Sequence, residues 1–370
     1  MRIAIDGRAI HAAMDGIGRY TTCMVEGLRA LDDDHEYIVF TTHPVFSFPP
    51  GGRFREVVYP YRHVHPATLF DFHRVLHRHG IDVHFCPHFY APPLFKGRMV
   101  LTIHDLMWFQ RAQLQRGARR PGDHLKAWLH RVVVPLSVQR AKRIITVSEA
   151  SARDIRVCFP RLRTPVEVIP LGIDHLPEPA EICPAADREH SILFVGNAKP
   201  YKNLDGVVRC FNQVVAEARL ADWRLKIPGR PDNNRDTVVR LVESLPCRDR
   251  VDWLGPVSEE RLRELYARAG LLLFPSRYEG FGLPVLEAMR HGTPVVTSTT
   301  SSLPEVAGDA AVLVDPEDVE TMAATTRDLL LDLTRREDLS RRGVLRARAF
   351  RWADAVKRTH GVLTGETPGS

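Results

Sequence analysis

Short apolar runs alternate along the chain with longer stretches in which apolar residues recur at helical spacing. The apolar runs predict strands of parallel sheets that are covered on both faces, because such strands are almost continuously hydrophobic. In the first half of the chain the predicted strands are residues 2–5, 37–40, 83–86, 99–103, 144–147 and 166–169. In the second half they are residues 192–195, 224–227, 251–254, 271–274, 294–297 and 311–314.

Two successive series of strands and helices predict an α/β protein with two doubly wound, Rossmann-like domains. We place the N-terminal domain at residues 1–175 and the C-terminal domain at residues 186–349. The stretch between them is rich in proline and has little periodicity, as expected of a linker. Ligands of open parallel sheets bind at the carboxyl ends of the strands, so polar residues at those ends are the candidates for function.

The composition restricts the class of protein. The chain has 370 residues, a net charge of +6 and six cysteines without a Cys-x-x-Cys pair, which argues against a zinc site and a disulfide framework. No apolar run reaches the ~18 residues that span a bilayer, and the first residues do not have the pattern of a signal peptide. We therefore expect a cytoplasmic protein, or one that attaches peripherally to the inner face of the membrane.

The positive charge suits an anionic partner, but no nucleic-acid-binding signature accompanies it, so we expect no nucleic acid. Residues 124–134 alternate between basic and apolar side chains. Such a helix can lie on an anionic membrane, or it can cover a sheet with its cations outward, and we favour the second interpretation.

The strongest candidate for chemistry is the segment 274–289, FPSRYEGFGLPVLEAM. An apolar strand ends there at a Pro-Ser turn, a glycine-rich loop follows, and a helix is predicted to begin near Pro284. The start of such a helix offers backbone N–H groups and a positive dipole end to an anion. Glu279, at the strand's end, and Glu287, which we place in the first helical turn, add acceptors for hydroxyl groups. A nucleotide sugar, with its phosphates between two hydroxylated rings, fits this pattern.

A family resemblance supports this interpretation. The family 4 retaining glycosyltransferases carry a two-glutamate signature with seven residues between the acids, and the segment from Glu279 to Glu287 resembles it. The blocks IDGR at 5–8 and GIGRY at 16–20 resemble the opening of bacterial sugar transferases that build polysaccharides. The resemblance covers nearly the whole chain. It implies the GT-B fold, two Rossmann-like domains that face each other across a cleft, with the last helix, about 350–364, packing back on the first domain.

Further residues match the family's motifs. Gly16 and Gly18 are expected in a loop that precedes a predicted helix from about residue 19, and they would let the backbone approach the donor's diphosphate closely. His104 follows a predicted strand, in the position of a histidine that contacts the donor sugar in the family. Lys202 precedes a predicted helix and can pair with phosphate as a point charge.

The second cation of the donor site is less well defined. The family has Arg-Lys where this chain has Tyr201-Lys202, so Lys199 is the candidate to replace the absent arginine. Arg277, inside the glycine-rich loop, is another candidate to bind phosphate.

The resemblance implies retaining transfer of a hexose from a nucleotide diphosphate sugar to an acceptor hydroxyl. Charge on the leaving diphosphate would be stabilised by Lys202 and by the amides of Phe281, Gly282 and Leu283. Neither a metal nor another cofactor is then required. Glu287 would accept hydrogen bonds from the ribose, Glu279 would orient the transferred sugar, and His104 would contact that sugar.

Several alternatives stay open. The favoured donor is GDP-mannose and the favoured acceptor is a glycan or lipid-linked sugar of cell-surface polysaccharide assembly, but an antibiotic-type small acceptor is also compatible. A sugar-nucleotide epimerase or a phosphorylase of the same fold, and a noncatalytic sugar-nucleotide sensor, are the rivals. For a metal, the alternative is a histidine cluster whose members could supply zinc ligands, although we favour a surface near the acceptor: His73, His77, His79, His84 and His88.

Overall fold

The computed structural model describes residues 1–10, 16–63, 65–107, 109, 123–229 and 234–366. These residues form two compact units. The first unit consists of the residues up to Phe109, those from 123 to His175 and those from Arg351 onward, and the second of the residues between Leu176 and Phe350. Within the described part of the chain, no helix combines the length and the apolar character that crossing a membrane demands.

The first unit is built on a seven-stranded sheet in which every pair of neighbours is parallel, in the order β3-β2-β1-β4-β5-β6-β7. Its strands are β1 (Arg2–Asp6), β2 (Glu36–Thr41), β3 (Phe54–Val58), β4 (Val83–Cys86), β5 (Arg98–Ile103), β6 (Arg143–Thr146) and β7 (Val166–Val168). Its helices before the second unit are α1 (Gly16–Ala30), α2 (Pro66–Phe70), α3 (Phe72–Arg78), α4 (Asp123–Arg140) and α5 (Glu149–Cys158).

The second unit has a six-stranded parallel sheet in the order β10-β9-β8-β11-β12-β13. Its strands are β8 (Glu189–Leu193), β9 (Arg224–Pro228), β10 (Val251–Gly255), β11 (Ala269–Phe274), β12 (Val295–Ser298) and β13 (Val312–Val314). Its helices are α6 (Leu204–Val214), α7 (Arg235–Glu243), α8 (Glu259–Arg268), α9 (Leu283–Arg290), α10 (Leu303–Ala307), α11 (Val319–Leu331) and α12 (Leu333–Arg348). Apolar side chains of α6 and α11 pack on one face of this sheet, for example Val207, Phe211 and Leu329.

The last helix, α13 (Trp352–Thr364), belongs to the first unit, where it packs against α1. Gly27 permits this approach, because a Cβ there would meet Val356 at 2.3 Å. The Trp352 amide donates to Asp174 Oδ1 at 2.6 Å and its indole N–H donates to His175 Nδ1 at 3.0 Å, so the start of the helix is held by polar contacts as well.

The predicted fold class is confirmed, because both sheets are parallel and helices connect most of their strands. Several local predictions were wrong. Strand β3 was not predicted, since charged residues interrupt its short sequence. Strand β8 lies at Glu189–Leu193 rather than 192–195, because its register follows its pairing with β11. The basic stretch 124–134 lies in α4, and its side chains up to residue 131 lie outside the described residues.

Candidate active site

A lysine and a carboxylate meet at the carboxyl end of the second sheet. Lys202 Nζ lies 2.7 Å from Glu279 Oε1, and the two side chains are only 14% and 12% exposed. Lys202 follows β8 and Glu279 follows β11, and these two strands pair in parallel. The neighbouring strands therefore bring together two residues that are 77 positions apart in the chain.

The backbone around Lys202 is unusual. Residues Pro200–Lys202 form a single 3₁₀ turn, and Asn203 then adopts a left-handed conformation with φ of 60° before α6 begins. The buried Asn203 side chain donates through Nδ2 to the carbonyl oxygens of Pro275 and Pro316, at 3.2 and 2.7 Å. Asparagine tolerates the left-handed region better than most residues, and these bonds hold Lys202 beside the end of β11.

The glycine-rich loop leads into α9 as predicted from the sequence. Gly282 has φ of 116°, a backbone conformation that favours glycine, and a Cβ there would also meet the end of the Leu303 side chain at 2.7 Å. The N–H groups of Phe281, Gly282 and Leu283 donate to no acceptor among the described residues. Unpaired amides at the start of a helix are a site for an anion.

Glu287 lies in the second turn of α9 rather than in the first, because the helix begins at Leu283. Its carboxylate accepts a hydrogen bond from the Tyr266 hydroxyl at 2.8 Å. Its carbonyl oxygen accepts from Nδ1 of His291 at 2.8 Å. Burial lowers the pKa of His291, so the neutral imidazole is favoured. Glu287 is therefore held through both its side chain and its backbone.

The two other candidate cations have different surroundings. Arg277 donates through Nε to Glu317 at 2.5 Å and through Nη1 to the Pro200 carbonyl at 2.6 Å. It lines a cavity of about 710 Å³, and Lys202, Glu279 and Glu287 are not among the residues that line this cavity. Lys199 is exposed, and its ammonium lies 6.0 Å from the centre of the Tyr201 ring. Neither side chain is part of the Lys202–Glu279 pair, and their predicted binding to the donor stays a prediction.

His104 lies at the corresponding edge of the first sheet, after β5. Its Nε2 is 3.1 Å from the Pro87 carbonyl oxygen, which can only accept, so this nitrogen carries the proton. Its ring makes an edge contact with Tyr20 of α1 at 4.8 Å. Burial raises the pKa of Tyr20 to about 12, which keeps its hydroxyl neutral.

Gly16 and Gly18 do not lie in a loop, as predicted, but in the first turn of α1. A helix start is a place where backbone N–H groups and the positive dipole end can meet an anion, so the predicted contact with the donor stays a prediction. No described atom lies within 4 Å of a Cβ built on Gly16, so packing does not explain the glycine there.

A buried polar cluster lies at the end of β1. Asp6, Cys86 and His88 have potential metal-ligating atoms within 4.8 Å of one another. Arg8, however, already donates to both oxygens of Asp6, at 2.7 and 2.6 Å, and the Tyr90 amide donates to Nδ1 of His88 at 3.1 Å. The cluster is therefore satisfied by protein groups.

Among the described residues, the other members of the predicted histidine cluster contribute no ligating atom to this group. The His73 and His77 rings contact each other at 6.3 Å, and the ring of His79 makes an edge contact with Phe40. His84 is buried among apolar side chains, with an edge contact to Phe72, and both its nitrogens are without a hydrogen-bond partner among the described residues.

The sequence analysis missed the side chains that support the glutamates. Tyr266 lies in α8 and Ser301 follows β12, and each contacts a glutamate from a distant part of the chain. The run STTSS at 298–302 reads as an ordinary polar loop, and its composition was the only available signal.

Comparisons with known proteins cover both units. The family model described as "Glycosyltransferase Family 4" matches residues 14–175. The model described as "Glycosyl transferases group 1" matches residues 181–346.

Individual relatives agree with these matches. The chain is 33% identical to O-antigen chain mannosyltransferase B of Escherichia coli over 97% of this chain and 98% of that protein. It is 25% identical to O-antigen chain mannosyltransferase RfbU of Salmonella typhimurium over 69% and 67% of the two chains. Among solved structures, sucrose-phosphate synthase from Thermosynechococcus elongatus superposes with a TM-score of 0.76 at 21% identity, over 98% of both chains, which is evidence for the fold alone.

Proposed function

The chain belongs to glycosyltransferase family 4 and has the GT-B fold, and on that premise we propose that it is a retaining mannosyltransferase. Its donor would be a nucleotide diphosphate sugar, with GDP-mannose favoured, and its acceptor a hydroxyl group of a glycan or lipid-linked sugar. Two relatives whose names specify mannose transfer to an O-antigen chain support the choice of sugar and of polysaccharide assembly.

One arrangement carries the proposal: Lys202 lies beside the Glu279 carboxylate, and three amides at the start of α9 donate to no acceptor among the described residues. Lys202 and the N–H groups of Phe281, Gly282 and Leu283 would bind the diphosphate. Donors that are fixed in advance stabilise the charge that grows on a leaving group, and one such donor contributes about 3 kcal/mol in a water-excluded site. Because Lys202 and the helix dipole supply this stabilisation, the proposed reaction requires no metal.

The proposed chemical step is a front-face displacement. The bond between the anomeric carbon and the diphosphate oxygen breaks, and the acceptor oxygen bonds to the same face of that carbon. The acceptor's proton passes to the departing phosphate oxygen, so the configuration is retained and no protein nucleophile is needed. Glu279 would orient the sugar through its hydroxyls, and it would leave Lys202 free to bind phosphate when the donor enters.

The remaining roles concern recognition. Glu287 would accept hydrogen bonds from the ribose, and Tyr266 would hold its carboxylate in position. The contact of His104 with the transferred sugar rests on the family resemblance and stays a prediction, as do the contacts of Gly16 and Gly18 with the donor.

Binding and product configuration test the proposal. Thermal unfolding is measured with GDP, UDP, dTDP and ADP, with and without EDTA. A nucleotide at a hundred times its Kd should stabilise the protein by about 2.7 kcal/mol. We expect GDP alone to act, and EDTA to have no effect. Nuclear magnetic resonance of the product from GDP-α-mannose and a mannose-terminated acceptor should then show an α-mannoside.

Other outcomes identify the rivals. Conversion of the donor sugar without an acceptor indicates an epimerase, and a requirement for inorganic phosphate indicates a phosphorylase. Nucleotide binding without turnover on any acceptor indicates a sensor. A β-mannoside contradicts the retaining mechanism, and activity that EDTA abolishes contradicts metal independence.

A further inference from the structure

Hydroxyl side chains fasten the loop that carries Glu279. Four residues that follow or end β12 donate to carbonyl oxygens of residues 276–281, and we call them the hydroxyl clamp: Ser298, Thr300, Ser301 and Ser302. Their acceptors are the carbonyls of Ser276, Arg277, Glu279 and Phe281, at 2.5 to 3.1 Å. The conformation of this loop therefore depends on side chains from a different loop.

Ser301 makes the most specific contact of the clamp. Its Oγ donates to the carbonyl oxygen of Glu279 at 2.5 Å and accepts from the amide of Glu279 at 3.2 Å. One oxygen atom thus holds the peptide groups on both sides of Glu279. Because those two peptide planes set φ and ψ of the residue between them, they also set the direction in which the Glu279 side chain leaves the backbone.

Ser301 adopts this position at the expense of backbone strain. Among the residues that the structure describes, two non-glycine residues have positive φ, Ser301 at 57° and Asn203 at 60°. Asn203 directly follows Lys202, and Ser301 holds Glu279. Left-handed serine is uncommon, and such conformations persist where the surroundings determine them, often at functional sites. Each of the two left-handed residues thus supports a different member of the Lys202–Glu279 pair.

We propose that Ser301 is a positioning residue, which acts through Glu279 by fixing the carboxylate toward Lys202 and the donor sugar. This inference rests on the proposed function. Glycine would adopt the same φ without strain, so the backbone alone does not explain a serine. What glycine lacks is the hydroxyl that binds both peptide groups of Glu279.

The decisive variant is therefore Ser301→Gly, because it relieves the strain and removes the side chain that makes both hydrogen bonds to Glu279. We expect an unfolding midpoint equal to that of the wild type or higher. We expect kcat for sugar transfer to fall about tenfold to a hundredfold, as misplacement of a catalytic group does. The KM for the donor should change much less, because the diphosphate contacts are intact.

A double-mutant cycle separates positioning from a general structural role. In a Glu279→Gln background, Ser301→Gly should cause little further loss of kcat, since its effect passes through the carboxylate. The matched control is Thr297→Val, which removes a buried hydroxyl that donates to the Phe274 carbonyl at 2.8 Å, just before the loop. That variant should lose stability and keep its kcat.

Two results would overturn the inference: a Ser301→Gly enzyme with wild-type kcat, or a crystal structure of that variant with the Lys202–Glu279 pair unchanged. The activity of the wild type tests the proposed function separately. If the wild type transfers no sugar from any donor, the proposed function fails, and the crystal structure of the variant still decides whether Ser301 positions Glu279.

Discussion

The Asp6–Arg8 pair of the first unit and the Lys202–Glu279 pair of the second both lie at the carboxyl ends of inner strands of a parallel sheet, yet their surroundings differ. Asp6 and Arg8 are fully buried, and Arg8 also donates to Thr68 at 2.9 Å and lies 3.8 Å from the centre of the Phe72 ring. Lys202 and Glu279 are partly exposed, and the loop of Glu279 leads to amides at the helix start that have no acceptor in the part of the chain that the structure describes.

The two pairs also differ in whether their charged groups are already occupied by protein partners. Burial acts to raise the pKa of Asp6, but Arg8 and His88 outweigh it and hold that pKa well below its usual range. All the hydrogen-bonding capacity of this carboxylate is directed at protein groups. Under the proposed function, Lys202 would in contrast exchange its carboxylate for a phosphate. The same kind of ion pair therefore has all its partners within the protein in one unit, whereas in the other it would prepare a binding site under the proposed function.

Asp6→Asn should have the largest effect on stability. It leaves the Arg8 charge buried without its partner, which typically costs about 3–5 kcal/mol. Urea unfolding of the full chain measures the loss. The control is Glu167→Gln, which breaks the more exposed pair with Arg358 in the same unit and should cost much less. Equal losses in the two variants would contradict a structural role for the buried pair.

Lys202→Met should reduce catalysis strongly and stability little, in contrast to Asp6→Asn. We expect kcat/KM to fall about a hundredfold to a thousandfold, because a charged donor to the leaving group is lost, while stability changes little. Lys199→Met separates the two lysines and should reduce kcat/KM much less, since Lys199 is exposed and lies outside the pair. A larger loss for Lys199→Met would identify that residue as the principal phosphate cation.

The free energy of unfolding should also depend on pH through His84, which is buried near Asp6. Burial is the main cause that lowers the pKa of His84 to about 3. The unfolded chain binds a proton there below about pH 6.5, whereas the folded chain does not, so stability is complete above pH 6.5 and falls as the pH drops toward 3. The slope from this residue is about 1.4 kcal/mol per pH unit.

His84→Leu tests this prediction, because leucine removes two buried nitrogens that have no hydrogen-bond partner among the described residues. The free energy of unfolding of this variant should fall less steeply than that of the wild type between pH 6.5 and 4. Parallel curves for the two proteins would show that His84 does not titrate on unfolding.

The contrast between the two pairs also marks what the sequence can predict. The loop from Glu279 to Pro284 was predictable, because glycine and proline determine a strand–loop–helix junction locally. The contact of Lys202 with Glu279 could not be derived from local patterns, since it depends on β8 pairing with β11. Strand β3 was missed for a related reason: it lies at the sheet edge, and its pairing with β2 outweighs its polar sequence.

Supporting side chains were the least predictable part of the site. Ser301 reaches Glu279 because β12 lies next to β11, and nothing in the run STTSS indicates that neighbour. Tyr266 reaches Glu287 from α8, 21 positions away. The family resemblance supplied the glutamates and Lys202, and the structure supplied the residues that hold the glutamates.

The smallest expected effect concerns Tyr266, which holds the Glu287 carboxylate of the candidate active site in position. Tyr266→Phe removes the hydroxyl that donates to Glu287 at 2.8 Å and keeps the stacked contact with His291 at 5.9 Å. Loss of one such hydrogen bond corresponds to about 1 kcal/mol, or roughly a fivefold higher Kd for the nucleotide. Isothermal titration calorimetry with GDP measures it, and the kcat at saturating donor should stay near that of the wild type. An unchanged Kd would mean that Glu287 needs no support from Tyr266, whereas a large fall in kcat would place Glu287 in the chemical step rather than in recognition of the ribose.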